Sequence, residues 1–99
     1  MELTDKQLRH LKGLAHPLKP VILMGNSGLT DAVVAETDRA LGDHELIKVR
    51  LPGVDREARD AALKTLAERT NSTFVTRIGH IAVLFRPRPK VSRYVLPGA

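Results

Sequence analysis

The stretch Val21-Ile22-Leu23-Met24-Gly25-Asn26-Ser27-Gly28-Leu29-Thr30-Asp31 reads as a strand, a glycine turn and the start of a helix in immediate succession. Its four leading apolar residues form a short continuous run, the pattern of a buried strand. The glycines that bracket the next four residues permit backbone conformations closed to other side chains. Thr30 offers a hydroxyl to cap a helix, and Asp31 suits the positive end of the helix dipole. Backbone amides and a helix dipole together attract phosphate at such a turn. A bare G-x-x-G is more often a plain turn. Here the strand-to-helix setting, flanked by Lys12 and Lys19, favours phosphate contact through Gly25, Asn26, Ser27 and Gly28. It is not a nucleotide-hydrolysing P-loop, because the spacing is short and no Lys-Ser or Lys-Thr follows the second glycine.

Working back from that stretch, Thr4, Asp5 and Gln7 have helix-start chemistry with a capping box. Leu8, Leu11 and Ala15 recur at helical spacing, with Leu14 at the stripe's edge, while Lys6, Arg9, His10 and Gly13 fall opposite. Pro17 and Pro20 stop this helix, which has one oily and one cationic face.

Working forward, Val33, Val34, Thr37, Ala40 and Leu41 share one face of the second helix, and Gly42 is the expected stop. Residues 45–51 read as a strand with Ile47, Val49 and Leu51 on one face and Lys48 and Arg50 on the other. Asp55 can cap a third helix reaching about Thr70, with Ala58, Ala62 and Leu66 as its buried stripe and Leu63 beside it. Residues 73–78 and 81–86 are β-rich runs joined by Gly79-His80, a hairpin signal. From about residue 87 an extended cationic tail is expected to cross the surface. The order α-β-α-β-α-β-β predicts an α/β fold: a mixed four-stranded sheet with three helices on its apolar surface. Residues 1–99 are one domain's length, with no repeat or internal boundary.

Charge separates along this chain. Residues 1–29 carry four cations and two acids, residues 30–70 seven and nine, and residues 71–99 five and none. If the two basic ends meet, they make one electropositive surface, the footprint of a nucleic-acid partner. Candidate contacts are Lys6, Arg9, His10, Lys12 and Lys19, then Lys48 and Arg50 on one strand face, then Arg77, Arg86 and Arg88. For any one of them, a solvated surface charge is the plainer reading. Phe74 and Phe85 sit where core packing suits them, which leaves no stacking platform for single strands. Contact through shape and phosphate is the expected mode.

Catalysis and metals find little support. Cysteine is absent, and His10, His16, His44 and His80 lack metal-ligand spacing or a nucleophile partner. No cofactor, metal or small-molecule substrate is expected. No apolar run reaches the length of a membrane span, and no leader pattern opens the chain, so a cytoplasmic domain is expected.

Three blocks carry a family resemblance: residues 10–20 (HLKGLAHPLKP), 25–30 (GNSGLT) and 44–49 (HELIKV). Together with the Gly79-His80 hairpin and Arg86-Pro87, they closely resemble the YhbY family, the free-standing bacterial form of the CRM domain (chloroplast RNA splicing and ribosome maturation). The resemblance implies a fold like the C-terminal domain of translation initiation factor three with an added N-terminal helix. It further implies RNA binding without enzymatic activity, on ribosomal RNA of large-subunit precursors, and a glycine loop that touches RNA. Many members place a lysine within that loop, where this chain has Asn26 and Ser27. Phosphate attraction would then rest more on Lys12, Lys19 and the strand and tail cations. The expected protein is a monomer that acts as an RNA chaperone or assembly factor. One rival is a protein–protein adaptor on the ribosome; another is an enzyme with an unrecognised site.

Overall fold

The computed structural model describes residues 1–53 and 55–98. Helix α1 (Asp5–Ala15) opens with a complete capping box: the Gln7 amide donates to the Thr4 hydroxyl at 3.2 Å, and the Thr4 amide donates to the Gln7 side chain at 3.0 Å. There follow β1 (Ile22–Leu23), α2 (Asp31–His44), β2 (Leu46–Arg50), α3 (Arg56–Arg69), β3 (Thr73–Ile78) and β4 (Ile81–Phe85). Thr30 and Asp55 cap α2 and α3 as their positions imply.

The sheet order is β1-β2-β4-β3, with β1 parallel to β2 and the other pairings antiparallel. Both faces of this mixed sheet are used. On one face Ile22, Ile47, Val49, Ala82 and Leu84 pack with Leu41 of α2 and Leu63 and Leu66 of α3. On the other, Leu11 and Ala15 of α1 close over Leu46, Val75, Val83 and Phe85. Fully burying one such leucine contributes roughly 1.5–3 kcal/mol.

Several expectations change. The 21–24 run does pair along its length, since the Val21 amide donates to Lys48 and the Met24 amide to Arg50. Yet it is an edge strand that α1 does not cover, so Ile22 and Met24 are buried while Val21 and Leu23 are 51% and 69% exposed. Helix α2 runs through Gly42 to His44 and ends at Glu45, which adopts φ 64°. The buried stripe of α3 lies at Leu63, Leu66 and Ala67, and Ala58 is exposed because the first turn extends past the sheet's cover. Phe74 is 46% exposed on the outer strand β3, beside a bulge between Phe74 and Thr76.

The tail corrects the picture most. Glu45 is wholly buried, and its carboxylate accepts the Arg88 amide (2.9 Å), the Ser92 hydroxyl (2.5 Å) and the Arg93 amide (2.8 Å). Tyr94 then meets Phe85 edge-on at 6.0 Å, Leu96 joins the α1-side core, and the Pro97 carbonyl accepts from the Gln7 side chain at 2.9 Å. The segment after residue 87 is a wall of the core rather than a loose arm.

Candidate nucleic-acid interface

The glycine loop is a tight turn: the Gly28 amide donates to the Gly25 carbonyl at 2.9 Å, and Gly28 adopts φ 73°. That φ is costly for any residue with a Cβ, which explains glycine at this position. Among the described residues, the Asn26 and Ser27 amides have no backbone or side-chain acceptor, so they face outward with the first amides of α2. Asp31, in the first turn of α2, already occupies the positive end of the dipole and sits 3.1 Å from Arg69. The helix end alone is therefore a weaker anion site than the sequence suggests.

Arg50 presents a cation from the sheet. It pairs with Leu23, two residues before the loop, and it is exposed, with no hydrogen bond or ion pair from its side chain among the described residues. Lys48 lies on the same face but is occupied: its ammonium donates to the His16 carbonyl (3.0 Å) and the Leu18 carbonyl (2.9 Å). It thereby satisfies carbonyls at the end of α1, where a cation also suits the dipole.

Lys6, Arg9, His10 and Lys12 are exposed on α1, and Lys19 is exposed on the connection to β1. None has an ion-pair partner among the described residues. Arg9 and Lys12 line a shallow groove with Val75 and Thr76 of β3, whereas Lys19 neighbours Arg93 and Tyr94 across the chain's end. The α1 cations thus lie on one side of the sheet, with Arg9 and Lys12 at its β3 edge and the glycine loop after β1 at the opposite edge. Arg39 of α2 and Lys64 of α3 are exposed and, among the described residues, unpaired on the other side.

The three late arginines behave differently. Arg77 lies 3.3 Å from Asp60 and donates to the Gly79 carbonyl. Arg86 reaches the Asp38 carboxylate (2.6 Å) and the carbonyls of Asp38 and Thr70, tying α2 to the end of α3. Arg88 donates to the Gly42 and Asp43 carbonyls, which α2 leaves unpaired at its end, and lies 3.8 Å from Glu45. The acid-free C-terminal third is thus partly neutralised by acids of the middle third, which sequence counting could not pair.

Glu45 is the structural residue that sequence reading missed. Burial pushes its carboxyl up, but the Ser92 hydroxyl, the Arg88 and Arg93 amides and the Arg88 charge outweigh that push and hold it below the ordinary 4.5. A lone acid in an otherwise β-rich stretch was the available signal. Among the described residues no cluster of His, Asp and Glu could hold a metal ion, and no helix is long and apolar enough to cross a membrane.

These elements make a three-layered α/β module, with α1 on one face of the sheet, α2 and α3 on the other, and a glycine turn after its edge strand. Residues 3–86 match the CRS1 / YhbY (CRM) domain. The chain is 48% identical over 85 residues to a protein of Haemophilus influenzae named RNA-binding protein, covering 86% of each. It is 43% identical over 93 residues to "Probable RNA-binding protein PA4753" of Pseudomonas aeruginosa, covering 94% of this chain and 89% of that one. The solution structure of SAV1595 from Staphylococcus aureus, which carries a provisional RNA-binding label, superimposes with a TM-score of 0.84 at 32% identity, covering 97% of this chain and 100% of the other. The chain belongs to the CRS1 / YhbY (CRM) domain family.

Proposed function

We propose that this chain binds RNA through phosphate contacts, as a monomer without catalytic turnover, and that its target is ribosomal RNA in precursors of the large subunit in the cytoplasm. The observation that carries the reading is Arg50. It is unpaired, and it lies beside the strand that leads into the glycine loop, on the face flanked by the free cations of α1. The described strands contain no acidic residue, so the acid on that side is Asp5 of α1, which shares the groove of Arg9 and Lys12 at the far edge from Arg50. The names given to the relatives from H. influenzae and P. aeruginosa support RNA as the partner; the ribosomal target rests on the family resemblance.

Lys6, Arg9, Lys12, Lys19 and Arg50 supply sequence-independent attraction, while the Asn26 and Ser27 amides position the backbone at the loop. Arg77, Arg86 and Arg88, held by carboxylates and carbonyls, contribute mainly to the fold. A titration of purified protein against a large-subunit RNA fragment at several salt concentrations tests this. Affinity should fall steeply and linearly on a logarithmic salt scale. Crosslinking in cells with sequencing of the bound RNA tests the ribosomal assignment.

The adaptor reading draws on a groove of about 890 Å³ between α3 and β3, where exposed Phe74 stands beside Lys64 and Glu68 over the buried Leu63 and Ala67. Binding there would be far less sensitive to salt, and substitution at Phe74 would abolish it.

A further inference from the structure

The sheet's pairing register brings together a row of side chains that no helix covers. Leu23 pairs with Arg50, Arg50 with Ile81, and Ile81 with Ile78, so one row crosses all four strands. Paired residues project from the same face, and this face is the α1 side, because Leu46 and Lys48 precede Arg50 at alternate positions and meet α1 and the segment after it. Helix α1 covers the rows at Val83 and Phe85 but stops short of this one. Leu23 is 69% exposed and Ile78 is 62% exposed; Ile81 is half-buried and Arg50 is free at the centre. At a strand spacing of about 4.8 Å, the row is roughly 14 Å long.

Exposed apolar residues scattered singly carry no meaning, but a row in register beside a glycine turn is a surface. We infer that this row is a subsite for unpaired nucleotides of RNA, with the Arg50 guanidinium stacking on a base and Leu23, Ile81 and Ile78 forming an aliphatic bed beneath it. The inference rests on the RNA-binding reading and specifies the chemistry of its target: RNA with flipped-out or single-stranded bases rather than uninterrupted duplex.

Charge decides in favour of nucleic acid over a peptide. The described strands hold no acid, and Arg50 is the free strand cation on this face, since Lys48 is held by carbonyls and Arg77 lies on the opposite face beside Asp60; an occupant with an anionic backbone and apolar faces matches that row. A nucleotide has both. Bases splayed from a duplex are held by aromatic rings or by Arg planes. The exposed aromatic Phe74 cannot serve here, since its partner Leu84 belongs to the opposite face. Arg50 is thus the planar group within this row, and the unpaired amides of Asn26 and Ser27 lie just beyond Leu23, where they would meet the adjoining phosphate.

Two RNAs of equal phosphate number separate the possibilities: a hairpin pool with a randomised single-stranded loop, and a fully paired duplex. Wild-type protein should bind the hairpins at least about fivefold more tightly, in keeping with the contribution of one stacked base. Leu23→Ser with Ile78→Thr should bring hairpin affinity down to the duplex level without changing duplex binding. Arg50→Lys keeps the charge but loses the plane, so it should lose the preference while the salt slope stays unchanged. All three positions are at the surface, and thermal melting should confirm an intact fold in each variant. If wild type and the variants bind both RNAs equally well, the subsite is overturned while the RNA-binding reading stands. If wild type binds neither RNA at low salt, both fall together. If the Leu23 and Ile78 substitutions instead abolish capture of a purified acidic peptide and leave RNA binding untouched, the row is a protein site and the inference is wrong.

Discussion

The Glu45 carboxylate accepts the Arg93 amide at 2.8 Å across 48 positions of sequence, which anchors the end of the chain to the junction of α2 and β2. The same carboxylate accepts from Arg88 and Ser92 through its other oxygen. Both oxygens need donors opposite them, so Glu45→Gln presents an N–H to at least one. Leaving a buried group so mismatched costs about 1–3 kcal/mol. For a domain of this size that corresponds to a fall in Tm of roughly 5–20 °C at neutral pH.

The acid dependence follows from the same contacts. The Glu45 carboxyl titrates below its ordinary 4.5 in the folded chain, so the stability it adds is fully present above about that pH. It is lost as pH falls through the depressed folded value. Melting curves of wild type and Glu45→Gln should therefore be far apart at neutral pH and converge in acid. Curves that stay parallel down to strong acid would show that the carboxylate does not hold the tail.

Arg86 and Lys12 should separate stability from binding. Arg86 bridges Asp38 and Thr70, so Arg86→Ala should lower Tm by several degrees through lost charge-assisted hydrogen bonds. Its RNA affinity, measured well below the new Tm, should stay close to wild type. Lys12 is exposed and unpaired, so Lys12→Ala should leave Tm unchanged, weaken binding to every RNA, and reduce the salt slope by about 0.7–0.9. The reverse pattern would mean that the late arginines, and not α1, meet RNA.

The order of elements was legible because each start carried a local signal. Thr4, Thr30 and Asp55 cap their helices by contacts spanning three residues, and Gly79 turns the hairpin in place. What failed depended on distant partners. Gly42 looked like a helix stop, but α2 continues because Arg88, far along the chain, satisfies the carbonyls of Gly42 and Asp43. Val21 and Leu23 looked buried because an apolar run does not reveal that its strand lies at an edge. The same blindness to pairing hid the Asp38–Arg86 and Asp60–Arg77 contacts, which remove charge from the expected basic surface.

Within the glycine loop, the two glycines should tolerate substitution differently. A Cβ at Gly25 or at Gly28 would meet no atom within 4 Å, so neither position is crowded. Gly28, however, holds φ 73° and donates to the Gly25 carbonyl, so any side chain there strains the turn as well as obstructing a ligand. Gly25 carries no such conformational demand. Gly25→Asp should therefore fold normally, with Tm within a degree or two of wild type. It would nevertheless place a negative charge at the loop, beside the outward Asn26 and Ser27 amides. If phosphate approaches there, its affinity for RNA should fall about 5- to 150-fold, the equivalent of 1–3 kcal/mol for a lost charge-assisted hydrogen bond. Gly25→Ala separates bulk from charge, and its loss should be the smaller of the two. Gly28→Asp should lose both affinity and stability, so it cannot settle the question alone. If Gly25→Asp binds ribosomal RNA as tightly as wild type at low salt, the loop is only a turn, and RNA contact must rest on Arg50 and the α1 cations.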